Sequence, residues 1–176
     1  MTAEIICVGT ELLLGDILNT NAQFLSRELA ELGISVMHQH VIGDNPARLK
    51  ELVLQAKSRS DLLVFSGGLG STEDDLTKET VAEAFGDTLA FDEGEWQKII
   101  DFFARTNRRP TPNNRKQAMC PTVGHKLIND HGIREDRRVA VVNSALCQAA
   151  VPAPLPAVRR NGSAGLCKQT DSCGGG

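Results

Sequence analysis

Two kinds of hydrophobic pattern alternate along the first half of the chain. Ile5-Ile6-Cys7-Val8, ended by Gly9, and Leu62-Leu63-Val64-Phe65, ended by Ser66-Gly67, are unbroken apolar runs. Such runs fit parallel strands buried on both faces. Between them, Ala22, Leu25, Leu29 and Leu32 recur at helical spacing, with Asn19, Thr20 and Asn21 as capping candidates and Gly33 as the terminal left-handed residue. Residues 34–41 alternate loosely, with Ile34, Val36 and His38 on one side, and read as a second strand. Asp44-Asn45-Pro46 signals a helix start, because proline at the first helical position gives up only an N–H that has no partner there. Leu49, Leu52, Val53 and Ala56 supply that helix with its apolar stripe, and residues 76–85 read as a further helix. With right-handed crossovers between parallel strands, this order predicts an α/β fold of three layers, α/β/α, around a mostly parallel sheet.

The pattern then weakens. Residues 10–21 mix two glycines with polar groups and read as a loop, and 87–91 as a short extended piece or hairpin. Trp96, Ile99, Ile100 and Phe103 mark another amphipathic helix, ended at Arg109-Pro110-Thr111-Pro112. Residues 113–119 fit one or two helical turns, and 126–128 and 139–142 are candidate late strands. From residue 143 onward neither period is visible, three of the five cysteines occur, and prolines and a terminal Gly174-Gly175-Gly176 accumulate. The expected division is one domain over 1–142 and a poorly ordered tail over 143–176.

Composition narrows the class. A chain of 176 residues with 41% hydrophobic and 23% charged residues can bury one self-sufficient core, and it contains no apolar run near the roughly 20 residues of a membrane helix. Met1-Thr2-Ala3-Glu4 lacks a basic leader, which makes the cytoplasm the expected compartment. A net charge of −3 argues against nucleic acid as a partner, and Arg105, Arg108 and Arg109 read as a solvated helix end. Cys7, Cys120, Cys147, Cys167 and Cys173 are odd in number and without CxxC spacing, against both a disulfide framework and a zinc knuckle. Cys7 reads as a small core residue. His38, His40, His125 and His131 show no ligand spacing and read as structural or solvent-facing.

Candidate chemistry gathers in two loops. In an open α/β sheet, ligands bind beyond the carboxyl ends of strands where strand order reverses. If the second strand lies on one side of the first and the third on the other, residues 9–21 and 67–75, which follow the first and third strands, meet there. The turn Ser66-Gly67-Gly68-Leu69-Gly70-Ser71-Thr72 lacks the lysine of a phosphate-binding P-loop, and no G-x-G-x-x-G follows the first strand. Its glycines allow positive φ and close backbone approach, as in a phosphate cradle or a tight strand–helix turn without ligand. Asp74 and Asp75 would repel an anion unless a cation neutralised them, which points to Mg²⁺; the other reading is that they favour the positive end of the following helix. Glu11 and Asp16 carry the same ambiguity.

These residues also carry a family resemblance. Gly9-Thr10-Glu11-Leu12-Leu13-Leu14-Gly15-Asp16, Asn19-Thr20-Asn21, Ser66-Gly67-Gly68-Leu69-Gly70, Asp74-Asp75-Leu76-Thr77 and Pro112-Asn113-Asn114-Arg115-Lys116-Gln117-Ala118-Met119 closely resemble the N-terminal domain of the competence/damage-inducible CinA proteins, over about residues 3–132. That domain is a branch of the molybdopterin-binding fold shared with the Mog, MoaB and gephyrin G proteins. The resemblance implies a MogA-like domain, a homo-oligomer of two or three copies, and a pterin or nucleotide phosphate as ligand with Mg²⁺ as the divalent metal. It further implies hydrolysis of ADP-ribose to AMP and ribose 5-phosphate, or else a non-catalytic module that holds molybdopterin or a nucleotide. On this reading Asp75 and Asp74 are catalytic, with Asp75 the metal ligand. Gly67, Gly68, Leu69, Gly70, Ser71, Thr72, Thr10, Glu11, Asp16, Asn19 and Asn21 bind substrate. Ser71 stands where the family usually has proline, and Ile133-Arg134-Glu135-Asp136 and Asn143-Ser144-Ala145 replace a Thr-Ala-Pro-Gly and a pocket-closing Gly-Pro-Pro turn. The expectation is a truncated or altered-frame sequence of this type, whose last roughly 40 residues leave the family pattern.

Overall fold

The structure, a computed structural model, describes residues 1–123 and 139–143. Strand β1 (Thr2–Val8) leads through a short helix α1 (Thr10–Leu14) into α2 (Thr20–Glu31), then β2 (Ser35–Ile42), α3 (Pro46–Arg59), β3 (Leu62–Ser66) and α4 (Thr77–Phe85). A second unit follows, with β4 (Leu89–Phe91), α5 (Glu93–Arg105), a 3-10 segment (Pro112–Ala118) and β5 (Met119–Pro121). Strand β6 (Val139–Asn143) closes the main sheet.

The main sheet has the order β2-β1-β3-β6, with β2, β1 and β3 parallel and β6 antiparallel to β3. Both apolar runs therefore lie in the middle. Ile6, Val8, Leu63 and Phe65 pack on one face against Leu49, Val53 and Ala56 of α3 and Val81 and Ala84 of α4. Ala3, Ile5, Cys7, Leu62 and Val64 face Ala22 and Leu29 of α2. Two apolar faces each covered by helices make the three layers expected. Asn45 caps α3 by accepting from the Arg48 N–H at 3.1 Å, and Asn19 caps α2 through the Ala22 N–H at 3.2 Å.

Two readings are corrected and one pair of alternatives is decided. Residues 10–21 are not wholly loop: Thr10–Leu14 forms one helical turn, started by the bond from Leu13 N–H to the Gly9 carbonyl and ended by Gly15. Its short apolar stretch carries no helical period long enough to detect. Of the two alternatives for residues 87–91, the short extended piece is the one observed: β4 pairs antiparallel with β5, about thirty residues later, and no local hairpin forms. His38 does not share a side with Val36. The register slips between Ala3 and Glu4, so Val36 pairs with Ala3 but His38 with Glu4, and the alternation inverts. The candidate strand 126–128, His125, His131, Cys147, Cys167, Cys173 and the tail from 144 lie outside the described residues. Among those described, no helix is long and apolar enough to cross a membrane, and Cys7 and Cys120 are free thiols.

The inversion at β2 serves the one charged residue inside β1. Glu4 is wholly buried. Its carboxylate accepts from Arg59 Nε at 2.7 Å, Arg59 Nη2 at 2.9 Å and the Ser60 hydroxyl at 2.7 Å, and it meets His40 Nε2 at 2.7 Å. The Arg59 bonds, which outweigh burial, together with Ser60 and His40 lower the Glu4 carboxyl from 4.5 to about 2. A depressed carboxylate stabilises the fold fully above its unfolded value and less as pH falls toward the folded one. Glu4→Gln is therefore expected to cost on the order of 2–3 kcal/mol at pH 7. In urea melts, the gap between variant and wild type should close as pH falls from 4.5 toward 2; a constant gap would show that the clamp does not act through the charge.

Candidate functional site

Because β2 lies on one side of β1 and β3 on the other, the chain reverses direction across the sheet at the carboxyl ends of β1 and β3. Both predicted loops leave from there. Asn21 Nδ2 donates to the buried Ser66 hydroxyl at 2.9 Å, which ties the start of α2 to the end of β3. Asn19 hydrogen-bonds the Cys7 thiol, whose pKa burial pushes up.

The glycine turn is seated directly on β1. Gly67 has φ 92° and Gly68 φ 61°, left-handed conformations that side chains resist. A Cβ on Gly67 would overlap the Val8 carbonyl oxygen, and one on Gly68 the Thr77 hydroxyl. That hydroxyl donates to the Gly67 carbonyl at 3.1 Å, and the Thr77 N–H to Gly68 at 3.2 Å. The first N–H of α4 thus closes the turn instead of facing outward. Leu69 is buried beneath it.

Asp75 sits inside the second half of the turn. Its Oδ2 accepts from the Thr72 N–H at 2.9 Å and the Thr72 hydroxyl at 2.5 Å, and Gly70 packs so closely that a Cβ there would strike the carboxylate. Burial opposes ionisation of Asp75, but the Thr72 hydroxyl, the Gly70 and Thr72 amides and the charge of Lys116 outweigh it and hold the carboxyl below its ordinary range. Asp74 is exposed and lines a small depression with Val8, Asp44, Asn45, Leu76 and Thr77.

Thr10 turns away from the glycine turn: its N–H and hydroxyl donate to Asp44 at 3.0 and 2.8 Å, locking α1 to the loop after β2. Glu11 and Asp16 are exposed and make no hydrogen bond or ion pair with residues 67–75. The structure therefore brings together Asn19, Asn21 and residues 67–75, with Thr10 at one edge and Glu11 and Asp16 outside.

A third wall comes from a segment to which the sequence-based reading assigned no role. A cleft of about 280 Å³ opens between Ser71, Thr72 and Glu73 on one side and Pro112, Asn113 and Lys116 on the other. Lys116 Nζ donates to the Thr72 carbonyl at 3.1 Å and lies 3.8 Å from Glu79 Oε1. The segment is fixed from below by Lys78, whose ammonium donates to the carbonyls of Lys116 (3.0 Å), Gln117 (3.2 Å) and Met119 (3.0 Å). Arg115 holds it from the side, stacked over Phe91 at 4.4 Å. Only the similarity of residues 112–119 to a family pattern could have drawn attention to this wall. Asp44 carried only a helix-start signal.

As for a metal, the described residues contain no group of three or more His, Cys, Asp or Glu placed to hold one. An ionised Asp75 beside a phosphate-sized turn fits Mg²⁺, which commonly binds through one or two carboxylates, water and the phosphates of its ligand.

Known proteins resemble this chain as follows. The family described as "Probable molybdopterin binding domain" matches residues 4–153. The "Putative competence-damage inducible protein" of Bacillus cereus (strain ATCC 10987 / NRS 248) is 53% identical over 133 residues, covering 76% of this chain and 32% of that protein. Its counterpart in Geobacillus sp. (strain WCH70) is 49% identical over 154 residues, covering 88% of this chain and 36% of that protein. The chain thus spans about a third of the length of the curated relatives it matches. The crystal structure of the protein CinA, of unknown function, from Thermoplasma acidophilum superposes with a TM-score of 0.66 at 34% identity, covering 74% of this chain and 76% of that one.

The seating of the turn is testable against a second left-handed glycine. Gly15 has φ 82° but open space around its missing Cβ. Gly15→Ala is expected to cost about 1 kcal/mol from backbone strain alone, and Gly67→Ala at least about 2 kcal/mol more from the overlap with Val8. Equal losses in denaturant midpoints would mean that the turn does not rest on β1.

Proposed function

The chain belongs to the molybdopterin-binding-domain family, in its CinA branch, with the MogA-like α/β/α fold, and from that premise we propose that it binds a nucleotide pyrophosphate at the carboxyl ends of β1 and β3 and hydrolyses it. The proposed reaction is ADP-ribose plus water to AMP and ribose 5-phosphate. The observations that carry this reading are the bond by which Asn21 ties the start of α2 to Ser66 at the head of the glycine turn and an Asp75 kept ionised by that turn.

In this reading the backbone of residues 67–72 lies against the phosphates, and Asn19 and Asn21 contribute amide groups at the rim. Asp75 holds the divalent cation, with Asp74 at the mouth. Mg²⁺, when bound, neutralises phosphate oxygens and makes its bound water more acidic. Water's oxygen forms a new bond to one phosphorus, the bridging P–O bond breaks, and the departing phosphate carries away the electron pair while a proton passes to solvent. Thr72 orients Asp75 so that one carboxylate edge stays fixed during these changes. Lys116 adds positive charge to the same corner.

A second reading, a module that holds molybdopterin or a nucleotide without turnover, draws support from the same geometry. Asp75 already takes hydrogen bonds from the Gly70 and Thr72 amides, leaving it one oxygen edge for a cation. Family membership is also the ground for proposing a cytoplasmic homo-oligomer, a dimer or trimer. Sedimentation as a monomer at micromolar concentration would remove that part.

Incubation of the purified protein with ADP-ribose and Mg²⁺ separates the two readings. AMP release at least ~100-fold above an Asp75→Ala control is expected for the enzyme, and release no greater than that control rejects it. Because Thr72 holds the Asp75 carboxyl low, Thr72→Val should move the acid limb of kcat/KM to higher pH. An unmoved limb would separate Asp75 from the titration that governs the rate.

A further inference from the structure

The cleft between the glycine turn and the 3-10 segment is built differently from the turn itself. Its walls carry a cation, Lys116, a carboxylate, Glu73, an amide, Asn113, the hydroxyls of Ser71 and Thr72, and the ring of Pro112. A purely anionic ligand would be repelled by Glu73, and a purely apolar one would strand Lys116 and Asn113. At about 280 Å³ the cleft is just below the usual size of a small-molecule site, too small for a dinucleotide and suited to one part of it.

From this combination we propose that the cleft is a subsite for a phosphorylated sugar with a vicinal diol. Lys116 faces the phosphate, Glu73 accepts hydrogen bonds from two neighbouring hydroxyls, Asn113 completes the polar rim, and Pro112 meets the apolar face of the ring. The proposal rests on the reading of residues 67–75 as a phosphate site, and it assigns the sugar half of the ligand to the side away from α2.

The wall is tied to its surroundings by hydrogen bonds. Lys116 is anchored to the Thr72 carbonyl and its backbone to Lys78. Glu73 and Asn113 are exposed and enter no hydrogen bond or ion pair among the described residues. Removing either one leaves the packing intact, so a binding change reports on the ligand.

The test is calorimetric titration of wild type, Glu73→Ala, Asn113→Ala, Lys116→Met and Lys116→Arg with ribose 5-phosphate, 2-deoxyribose 5-phosphate and inorganic phosphate. Wild type should bind ribose 5-phosphate about tenfold more tightly than its deoxy analogue, the size of one hydrogen bond to a charged group. Glu73→Ala should erase that preference while binding the deoxy analogue as wild type does. Lys116→Met should weaken all three probes about tenfold, with Lys116→Arg recovering most of the loss. Equal affinity of wild type for the two sugars, a preference that survives Glu73→Ala, or no binding of either sugar would overturn the subsite. The underlying reading fails separately. A Glu73-dependent preference without ADP-ribose hydrolysis keeps the subsite and removes the enzyme. Hydrolysis unchanged in KM and kcat by Glu73→Ala and Lys116→Met keeps the enzyme and removes the subsite.

Discussion

Everything in this domain follows from β1 being enclosed on four sides. It is hydrogen-bonded to β2 along one edge and β3 along the other, and helices cover both of its faces. A strand so placed can carry no unpaired polar group along its length, so its chemistry is confined to its ends. At the amino end the one buried carboxylate, Glu4, is paired with Arg59 and hydrogen-bonded by Ser60, with the histidines of β2 beside it. At the carboxyl end Val8 presents its carbonyl to Gly67, and the backbone of the turn takes the space that a side chain would fill. The two ends do opposite work: one removes a charge from water and satisfies it internally, the other leaves backbone and carboxylates open to a ligand.

The features legible in the sequence are those governed by local period. The two apolar runs, the stripes of α2, α3 and α5 and the proline-started helix are each set by contacts within a few residues or by burial on both faces. Right-handed crossovers predicted the parallel strands but left their order open; the observed order 2-1-3 is the condition under which the loops after β1 and β3 leave from neighbouring strand ends. What stayed hidden depends on distant partners. The slip at Ala3 and Glu4 places His38 and His40 beside Glu4, contacts spanning more than thirty residues. The pairing of β4 with β5 is equally distant, and both strands are only three residues long. Lys116 looked like any surface lysine until Lys78 and Arg115 fixed the segment that carries it.

The candidate residues divide along the same line. Asn19, Asn21 and residues 67–75 adjoin because strand ends adjoin, which topology alone dictates. Thr10 is drawn instead to Asp44, and Glu11 and Asp16 remain on the exposed side of α1.

The position of Asp75 decides between holding a ligand and transforming it. In the turn, amides that could face a phosphate, those of Gly70 and Thr72, instead face the Asp75 carboxylate. A carboxylate in such a cradle stands where a phosphate oxygen would otherwise sit, and Lys116 stabilises that arrangement from the adjacent wall. Two anions cannot share the cradle unless a cation lies between them or the turn releases Asp75. A divalent ion held by Asp75 would supply the first solution, making the carboxylate an indirect partner of the phosphate instead of its competitor. Without the ion the carboxylate blocks what the amides would hold. On the proposed reading, a turn built around its own aspartate would make ligand binding depend on a metal before any question of turnover.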